Sequence, residues 1–195
     1  VTHLAIMLRA PRHGLMKAQL TADIGERHAL RLYRILAART LDAVSAMDGR
    51  VVIWYTPPEA RAEMERWIGA GWDLRPQASG HQGPRLAAAA RAVPRGEKWI
   101  CICRECPDLS TATIAEADSI LDRVPIVLGP TVDGDLYLIG GWSPLPDLFA
   151  QPRFSYGTLR ATRERLIQLG IPWEELLPLR DLESARDARA AGLLT

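Results

Sequence analysis

The chain has 195 residues, enough for one domain with a substantial core, and 48% of them are hydrophobic, which excludes a disordered protein. A formal net charge of +1 argues against a nucleic-acid coat protein or a polybasic membrane binder, and no apolar run is long enough to span a bilayer. Cys101, Cys103 and Cys106 are too few and too close for a disulfide framework or a four-ligand zinc site. They read as reduced thiols, and with no signal peptide evident the expectation is a cytoplasmic protein.

Residues 4–8 (Leu4-Ala5-Ile6-Met7-Leu8) form a continuous apolar run that predicts a buried strand, followed by a loop over residues 11–14. From Gly25 onward Leu30, Tyr33, Leu36, Ala37, Leu41 and Val44 recur at helical spacing, and Asp48-Gly49 marks a turn. Residues 51–55 predict a second buried strand stopped by Pro57-Pro58, residues 59–68 a helix, and residues 72–76 a short strand. A loop over 80–84 and an alanine-rich helix over 85–92 follow. Residues 99–103 predict a further buried strand, and Ser110 is a candidate N-cap for a helix running to about residue 122. Residues 126–129 and 136–140 flank an Asp- and Gly-rich turn and predict a β-ribbon. A helix over 157–169, a short strand over 176–182 and a terminal helix over 183–191 closed by Gly192 complete the chain. Strands alternating with helices imply a mostly parallel sheet covered on both faces, and the ribbon makes that sheet mixed.

In such open sheets ligands bind beyond the carboxyl ends of the strands. Arg9, Pro11, Arg12, His13, Gly14 and Lys17 follow the first strand, Arg104, Glu105, Cys106, Pro107 and Asp108 follow the fourth, and Thr131, Asp133 and Asp135 follow the fifth. Cations at one strand end and carboxylates at two others suit a nucleotide phosphate chain. The arginines and lysine supply donors to the phosphate oxygens. One or two carboxylates hold Mg²⁺ or Mn²⁺ against them. A small-molecule acceptor is the further partner implied, with no nucleic acid and no membrane. Oligomeric state is not encoded in this pattern, although an exposed ribbon edge could serve a homodimer.

Several motifs in matching order extend this reading. Cys106-Pro107-Asp108-Leu109 follows a buried strand, and Leu128-Gly129-Pro130 leads to Asp133-Gly134 and Tyr137-Leu138-Ile139-Gly140. Arg9-Ala10-Pro11 stands with Gly14 and Lys17-Ala18-Gln19-Leu20, Gln77 stands with Gly80, Gly83 and Arg85, and the tail reads Leu179-Arg180-Asp181-Leu182-Glu183. On these residues the chain resembles the radical-SAM/selenodomain-associated transferases, a glycosyltransferase-A-like group formerly classed as a domain of unknown function. That group is related to nucleotidyltransferases of the molybdenum-cofactor and coenzyme F420 pathways. The resemblance covers nearly the whole chain and implies one glycosyltransferase-A-like domain over residues 1–195. The implied fold is a three-layer α/β/α sandwich of the nucleotide-diphospho-sugar transferase type.

The implied function is transfer of a glycosyl or nucleotidyl group from a nucleotide or nucleotide sugar to a small acceptor with Mg²⁺ or Mn²⁺. The nucleotide would lie over Arg9, Ala10, Pro11, Arg12, Gly14 and Lys17, with Gly80 and Arg85 beside it. Glu105 and Asp133 would be the catalytic, metal-holding acids. This chain departs from the family pattern where Thr-Asp becomes Arg104-Glu105, where Lys-Thr-Arg-Leu becomes Lys17-Ala18-Gln19-Leu20, and where Gly-Asp-Leu-Gly becomes Gly80-His81-Gln82-Gly83. Two readings therefore stand: an active transferase, and a diverged nucleotide- or partner-binding module of the same fold. Asp108 could touch the metal or support the turn before the Ser110 helix. His13 and His81 could be acid/base groups or surface residues, and Trp142 could line an acceptor pocket or pack in the core. Arg160, Arg163 and Arg165 read as a solvated helix face.

Overall fold

The apolar runs condense into one seven-stranded sheet. In chain order its strands are β1 (Thr2–Arg9), β2 (Arg50–Thr56), β3 (Asp73–Pro76), β4 (Lys98–Ile102), β5 (Ile126–Pro130), β6 (Leu136–Trp142) and β7 (Trp173–Glu175). The computed structural model describes residues 1–14, 18–103, 105–144, 147–149 and 158–194. The helices are α1 (Ala18–Ile24), α2 (Glu26–Ser45), α3 (Arg61–Ile68), α4 (Gln82–Arg91), α5 (Thr111–Ile120), α6 (Thr158–Leu169) and α7 (Ala185–Ala190), with a 3-10 turn Pro58–Ala60 ahead of α3.

The strand order is β3-β2-β1-β4-β6-β5-β7. Every neighbouring pair is parallel except those made by β6, which runs antiparallel to both β4 and β5. The mostly parallel mixed sheet is thus the one expected, and the β5–β6 ribbon is its single reversal. The period of two along each strand divides the core. Leu4, Ile6, Leu8, Ile53, Tyr55, Ile100 and Ile102 pack on one face against Ala37, Leu41 and Val44 of α2, Met64 of α3 and Ile114 and Ala117 of α5. Ala5, Val52, Trp54, Trp99 and Cys101 pack on the other face against Leu86, Ala87 and Ala90 of α4 and Leu159 and Leu166 of α6. Two helical layers around one sheet give the α/β/α sandwich. A third, smaller cluster joins Leu20 of α1, Ala29, Leu32 and Leu36 of α2, and Leu182 and Ala188 of the C-terminal segment.

Local chemistry sets several element ends as the sequence predicts. Ser110 Oγ accepts from Thr113 N at 3.2 Å and starts α5, and Gly192 adopts φ 65° just past α7. Other expectations are corrected. Helix α4 begins at Gln82 rather than at residue 85, because Pro84 falls in the first turn, where its missing N–H has no carbonyl to serve. The strand expected over 176–182 is instead Trp173–Glu175, followed by an irregular segment with one bridge, Thr131 to Leu179. Leu176 and Leu182 are apolar because they are buried, 3% and 2% exposed, and not because they alternate in a strand. Helix α1 leaves little mark in the sequence, since it is seven residues long and buries only Leu20. The start expected at residue 157 for α6 lies outside the described residues.

The glycines of the Leu128-Gly129-Pro130 and Gly140-Gly141 motifs serve packing. A Cβ on Gly141 would stand 2.8 Å from the Trp99 indole, and one on Gly140 would stand 2.9 Å from Val127. Bare backbone at these positions lets β6 lie flat over the largest fully buried side chain of the sheet.

Candidate functional site

Strand order changes direction at β1: β2 and β3 lie to one side of it, β4 and the ribbon to the other. The crevice beyond the carboxyl ends of β1 and β4 is therefore the topological switch point, where diverging loops leave space. A cavity of about 420 Å³ occupies that place. Its polar wall comes from Arg9 at the end of β1, Thr56 at the end of β2, Gln77 after β3, Cys103 and Glu105 after β4, and Gly80, His81, Gln82 and Arg85 around the start of α4. Its apolar wall comes from Leu20, Ala29, Tyr33, Leu36 and Leu182, where the third hydrophobic cluster meets the sheet.

The walls are held by identifiable bonds. The Tyr33 hydroxyl donates to the Arg9 carbonyl at 2.7 Å and accepts from the Arg9 N–H at 2.8 Å, fixing the backbone at the end of β1. Burial pushes the Tyr33 hydroxyl well above the usual phenol range, and the negative charge of nearby Glu105 pushes it further. Tyr33 is thus a neutral hydroxyl beside Glu105, the one carboxylate that lines the cavity among the described residues. Gln77 Nε2 donates to the Leu8 carbonyl at 3.1 Å and to the Trp54 carbonyl at 2.8 Å. Arg85 donates from Nη1 to Gln77 Oε1 at 3.1 Å and from Nε to the Gly80 carbonyl at 2.9 Å.

Of the residues expected at a nucleotide site, Arg9, Gly80, Arg85 and Glu105 share this cavity. Ala10 is buried behind it, its N–H donating to the Thr56 carbonyl at 2.8 Å. Pro11 is buried too. Arg12 points away to α3 and the 3-10 turn before it, donating to Glu63 at 2.7 Å and Glu59 at 3.0 Å, and these bonds raise its pKa further. Gly14 donates its N–H to Glu26, which His13 also meets at 3.0 Å. The Gly14 N–H, then His13, hold the Glu26 carboxyl below its usual range. This pins the first loop to the first turn of α2. Lys17 and Arg104 lie outside the described residues. Asp133 is exposed on the β5–β6 turn, two strands along the same sheet edge from β4, and does not line the cavity. Asp108 is exposed in the turn before α5.

His81 lines the cavity at the N-cap position of α4, whereas His13 is paired with Glu26 outside it. Trp142 lies at the opposite end of the sheet, paired with Lys98 at the start of β4, and its indole donates to the Leu121 carbonyl at 2.8 Å. It cannot line a pocket at the carboxyl edge. The α6 arginines are a surface face as expected, each paired: Arg160 with Glu164, Arg163 with Glu175 and Arg165 with Asp147. Sequence reasoning left Tyr33, Thr56, Cys103 and Gln82 without a role. The spacing of Ala29, Tyr33 and Leu36 marks one helix face, but nothing in it says that the face ends at a cavity rather than in the core.

Among the described residues, no group of three His, Cys, Asp or Glu side chains could hold a metal by itself. No described helix is long and apolar enough to cross a membrane.

Comparison with known proteins agrees with this fold. The family described as an uncharacterized protein conserved in bacteria (DUF2064) matches residues 37–156, and the chain belongs to it. A Desulfovibrio desulfuricans protein described provisionally as a nucleotide-diphospho-sugar transferase superposes with a TM-score of 0.90 at 21% identity, over 97% of this chain and 85% of that one. The 4-diphosphocytidyl-2C-methyl-D-erythritol synthase of Anaerococcus prevotii superposes at 0.63 with 11% identity, over 97% and 95%. A CMP:2-keto-3-deoxy-manno-octonic acid synthetase solved with CTP superposes at 0.57 with 10% identity, over 98% and 97%. At these identities the likeness is one of fold, which is that of the nucleotide-diphospho-sugar transferases. No curated protein matches the chain in sequence.

Proposed function

We propose that this DUF2064 member is a nucleotide-dependent transferase whose activated nucleotide lies in the cavity at the switch point. One observation carries the reading: Arg9, Arg85 and Glu105 come from three separate segments and line the same cavity of about 420 Å³. That volume suits a nucleotide-sized ligand. The apolar wall at Leu20, Tyr33 and Leu36 suits a flat ring, and the arginines suit phosphate oxygens. The solved proteins of the same fold include one held with CTP.

The transfer joins an acceptor oxygen to the moving group and breaks its bond to phosphate. For glycosyl transfer the acceptor oxygen bonds the anomeric carbon and a nucleoside diphosphate leaves. For nucleotidyl transfer it bonds the α-phosphorus and pyrophosphate leaves. In either case the bonding electrons go to a phosphate oxygen. Arg9 and Arg85 would bind the phosphates and offset the charge that grows there. Glu105 is the one lining carboxylate among the described residues and would orient the acceptor or hold a divalent cation. Mg²⁺ or Mn²⁺ fits such a site through one carboxylate with phosphate oxygens and water completing the shell, and when bound it would supply Lewis-acid stabilisation of the leaving phosphate. Asp133, two strands along the edge, would approach a bound acceptor from the rim. The dry wall at Leu20 and Leu182 would exclude water that could compete with the acceptor.

A second reading rests on the same geometry. With one lining carboxylate and no three-ligand group among the described residues, the cavity could bind a nucleotide without turning it over. A thermal-shift screen of nucleoside triphosphates and nucleotide sugars, with and without Mn²⁺, tests both readings. A ligand at a hundred times its Kd stabilises by about 2.7 kcal/mol, or roughly 5–11 °C for a domain of this size. The transferase reading expects a shift that grows with Mn²⁺ and a Glu105→Ala variant that folds but loses the Mn²⁺-dependent part. A shift indifferent to Mn²⁺ supports the binding module, and no shift with any nucleotide refutes both.

A further inference from the structure

Gln77 sits where three strand ends meet, and its amide is spoken for. Both Nε2 protons go to backbone carbonyls, Leu8 of β1 and Trp54 of β2, at 3.1 and 2.8 Å. Only a donor can face two carbonyls, so the orientation of the amide is fixed and Oε1 must face the other way. There it accepts from Arg85 Nη1 at 3.1 Å. The backbone N–H of Gln77 is occupied too, donating to the Tyr55 carbonyl at 2.8 Å. The side chain therefore has no donor left for a ligand.

Arg85 is in the opposite condition. Its guanidinium carries five N–H donors, of which one meets the Gly80 carbonyl and one meets Gln77. The remaining three have no acceptor among the described residues, and the group lines the cavity. It stands in the first turn of α4, where N-terminal N–H groups add positive potential. Two anchors, one on each side of the fork, hold a long side chain that would otherwise lose several rotatable bonds on binding.

We propose that Gln77 is a positioning residue: its donors are spent on the backbone, and it presents Arg85 as a preorganised anion-binding group of the cavity. The class of ligand group is a phosphate or diphosphate. The inference rests on the proposed nucleotide reading and deepens it, because it assigns the anion's donor and the residue that aims it. A glutamine at the end of a strand would ordinarily be taken as a reader of a base. Here its donors are spent on β1 and β2, and the information it passes on is the direction of Arg85.

The test is a double-mutant cycle read by calorimetry with inorganic pyrophosphate, which carries the shared phosphate chemistry and has no base. Gln77→Met removes the acceptor, together with the two donors to the Leu8 and Trp54 carbonyls, and keeps the side-chain length, and Arg85→Met removes the cation. Each single variant is expected to bind pyrophosphate about tenfold more weakly, the loss of one charge-assisted hydrogen bond or its alignment. The double variant is expected to bind no more weakly than Arg85→Met alone, since Gln77 acts only through Arg85. A residue with a merely structural role would weaken binding in both backgrounds, so additive losses overturn the proposal. So does wild-type affinity in Gln77→Met.

If Gln77→Met does not fold, Arg85→Lys decides. A lysine cannot meet the Gly80 and Gln77 oxygens in the same fork, so it is expected to bind as Arg85→Met does with an unchanged melting temperature, and wild-type binding by Arg85→Lys overturns the proposal. A wild-type protein that binds a nucleoside triphosphate but not pyrophosphate overturns the anion role alone. One that binds neither removes the nucleotide reading as well.

Discussion

Gly129→Ala is expected to cost stability through space alone. Gly129 has no positive φ, so its backbone accepts alanine without conformational strain. An added Cβ, however, would stand 2.6 Å from Tyr137 Cζ, 2.7 Å from Cε2 and 2.9 Å from Leu138 Cβ. Ordinary carbon contacts lie near 3.5–4.0 Å, so the ring would have to retreat by about 1 Å. It has little room: Tyr137 is 0% exposed, and its hydroxyl donates to the Leu177 carbonyl at 3.3 Å. Its backbone carbonyl accepts from Cys103 N at 2.8 Å. Overpacking a fixed core costs about 1–3 kcal/mol, and the upper end applies here. For a domain of this length that is a fall of roughly 6–12 °C in melting temperature.

Calorimetric melting of the variant measures it. Tyr137→Leu, which removes the opposing ring, is expected to make the double variant less destabilised than the two single losses added together. Gly134→Ala is the contrasting control. Its φ is 92° with nothing within 4 Å of a built Cβ, so its cost is conformational, about 1–2 kcal/mol, and no partner substitution should relieve it. A Gly129→Ala protein that melts within 2 °C of wild type would refute the argument that the motif glycine exists to seat Tyr137.

Three more expectations rest on the same structure. Cys103 is half-buried on the cavity wall while Cys101 and Cys106 are 0% and 2% exposed, and burial pushes the Cys101 thiol well up. A thiol reagent should therefore label Cys103 first, and a nucleotide bound in the proposed site should slow that labelling; fast labelling of Cys101, or no protection by any nucleotide, would contradict the cavity assignment. Ser184 caps α7 reciprocally with Asp187, so Ser184→Ala should cost about 1 kcal/mol in urea unfolding. Burial works against the Asp187 charge, but hydrogen bonds from Ser184 and the backbone N–H groups of Glu183 and Ser184 still hold its carboxyl below the usual range. Its contribution is therefore present at neutral pH and is lost as pH falls below about 4 through the lowered folded value. Equal acid sensitivity in the wild type and in Asp187→Asn would refute this.

Much of the fold was legible because burial leaves a mark on composition. A strand covered on both faces must be apolar throughout, and residues 4–8, 51–55 and 126–129 are. A helix on a sheet must be apolar on one stripe, and Leu36, Leu41 and Val44 lie on such a stripe. The element β7 escaped notice because Glu174 and Glu175 are paired outward with Arg123 and Arg163, leaving no apolar run to read. Leu176 and Leu182 resemble a strand signal because buried irregular backbone carries leucines as readily as a strand does.

The site was legible only as far as strand ends. Sequence order tells which residues follow a strand, and the rule that loops gather at the carboxyl edge puts Arg9 and Glu105 near one another, whereas Arg85 joins them only through the family resemblance. It could not tell that Arg12, three residues from Arg9, would turn to Glu59 in the 3-10 turn and Glu63 on α3. Nor could it tell that Tyr33 would hold the end of β1, or that Gln77 would reach across β2 to β1. Local spacing fixes which face a side chain occupies, and that much the amino-acid sequence determined. Which partner waits on that face depends on how far-separated segments meet, because hydrogen bonds and charge pairs are satisfied in three dimensions by whichever group packing brings within 3 Å. That choice belonged to the tertiary structure alone.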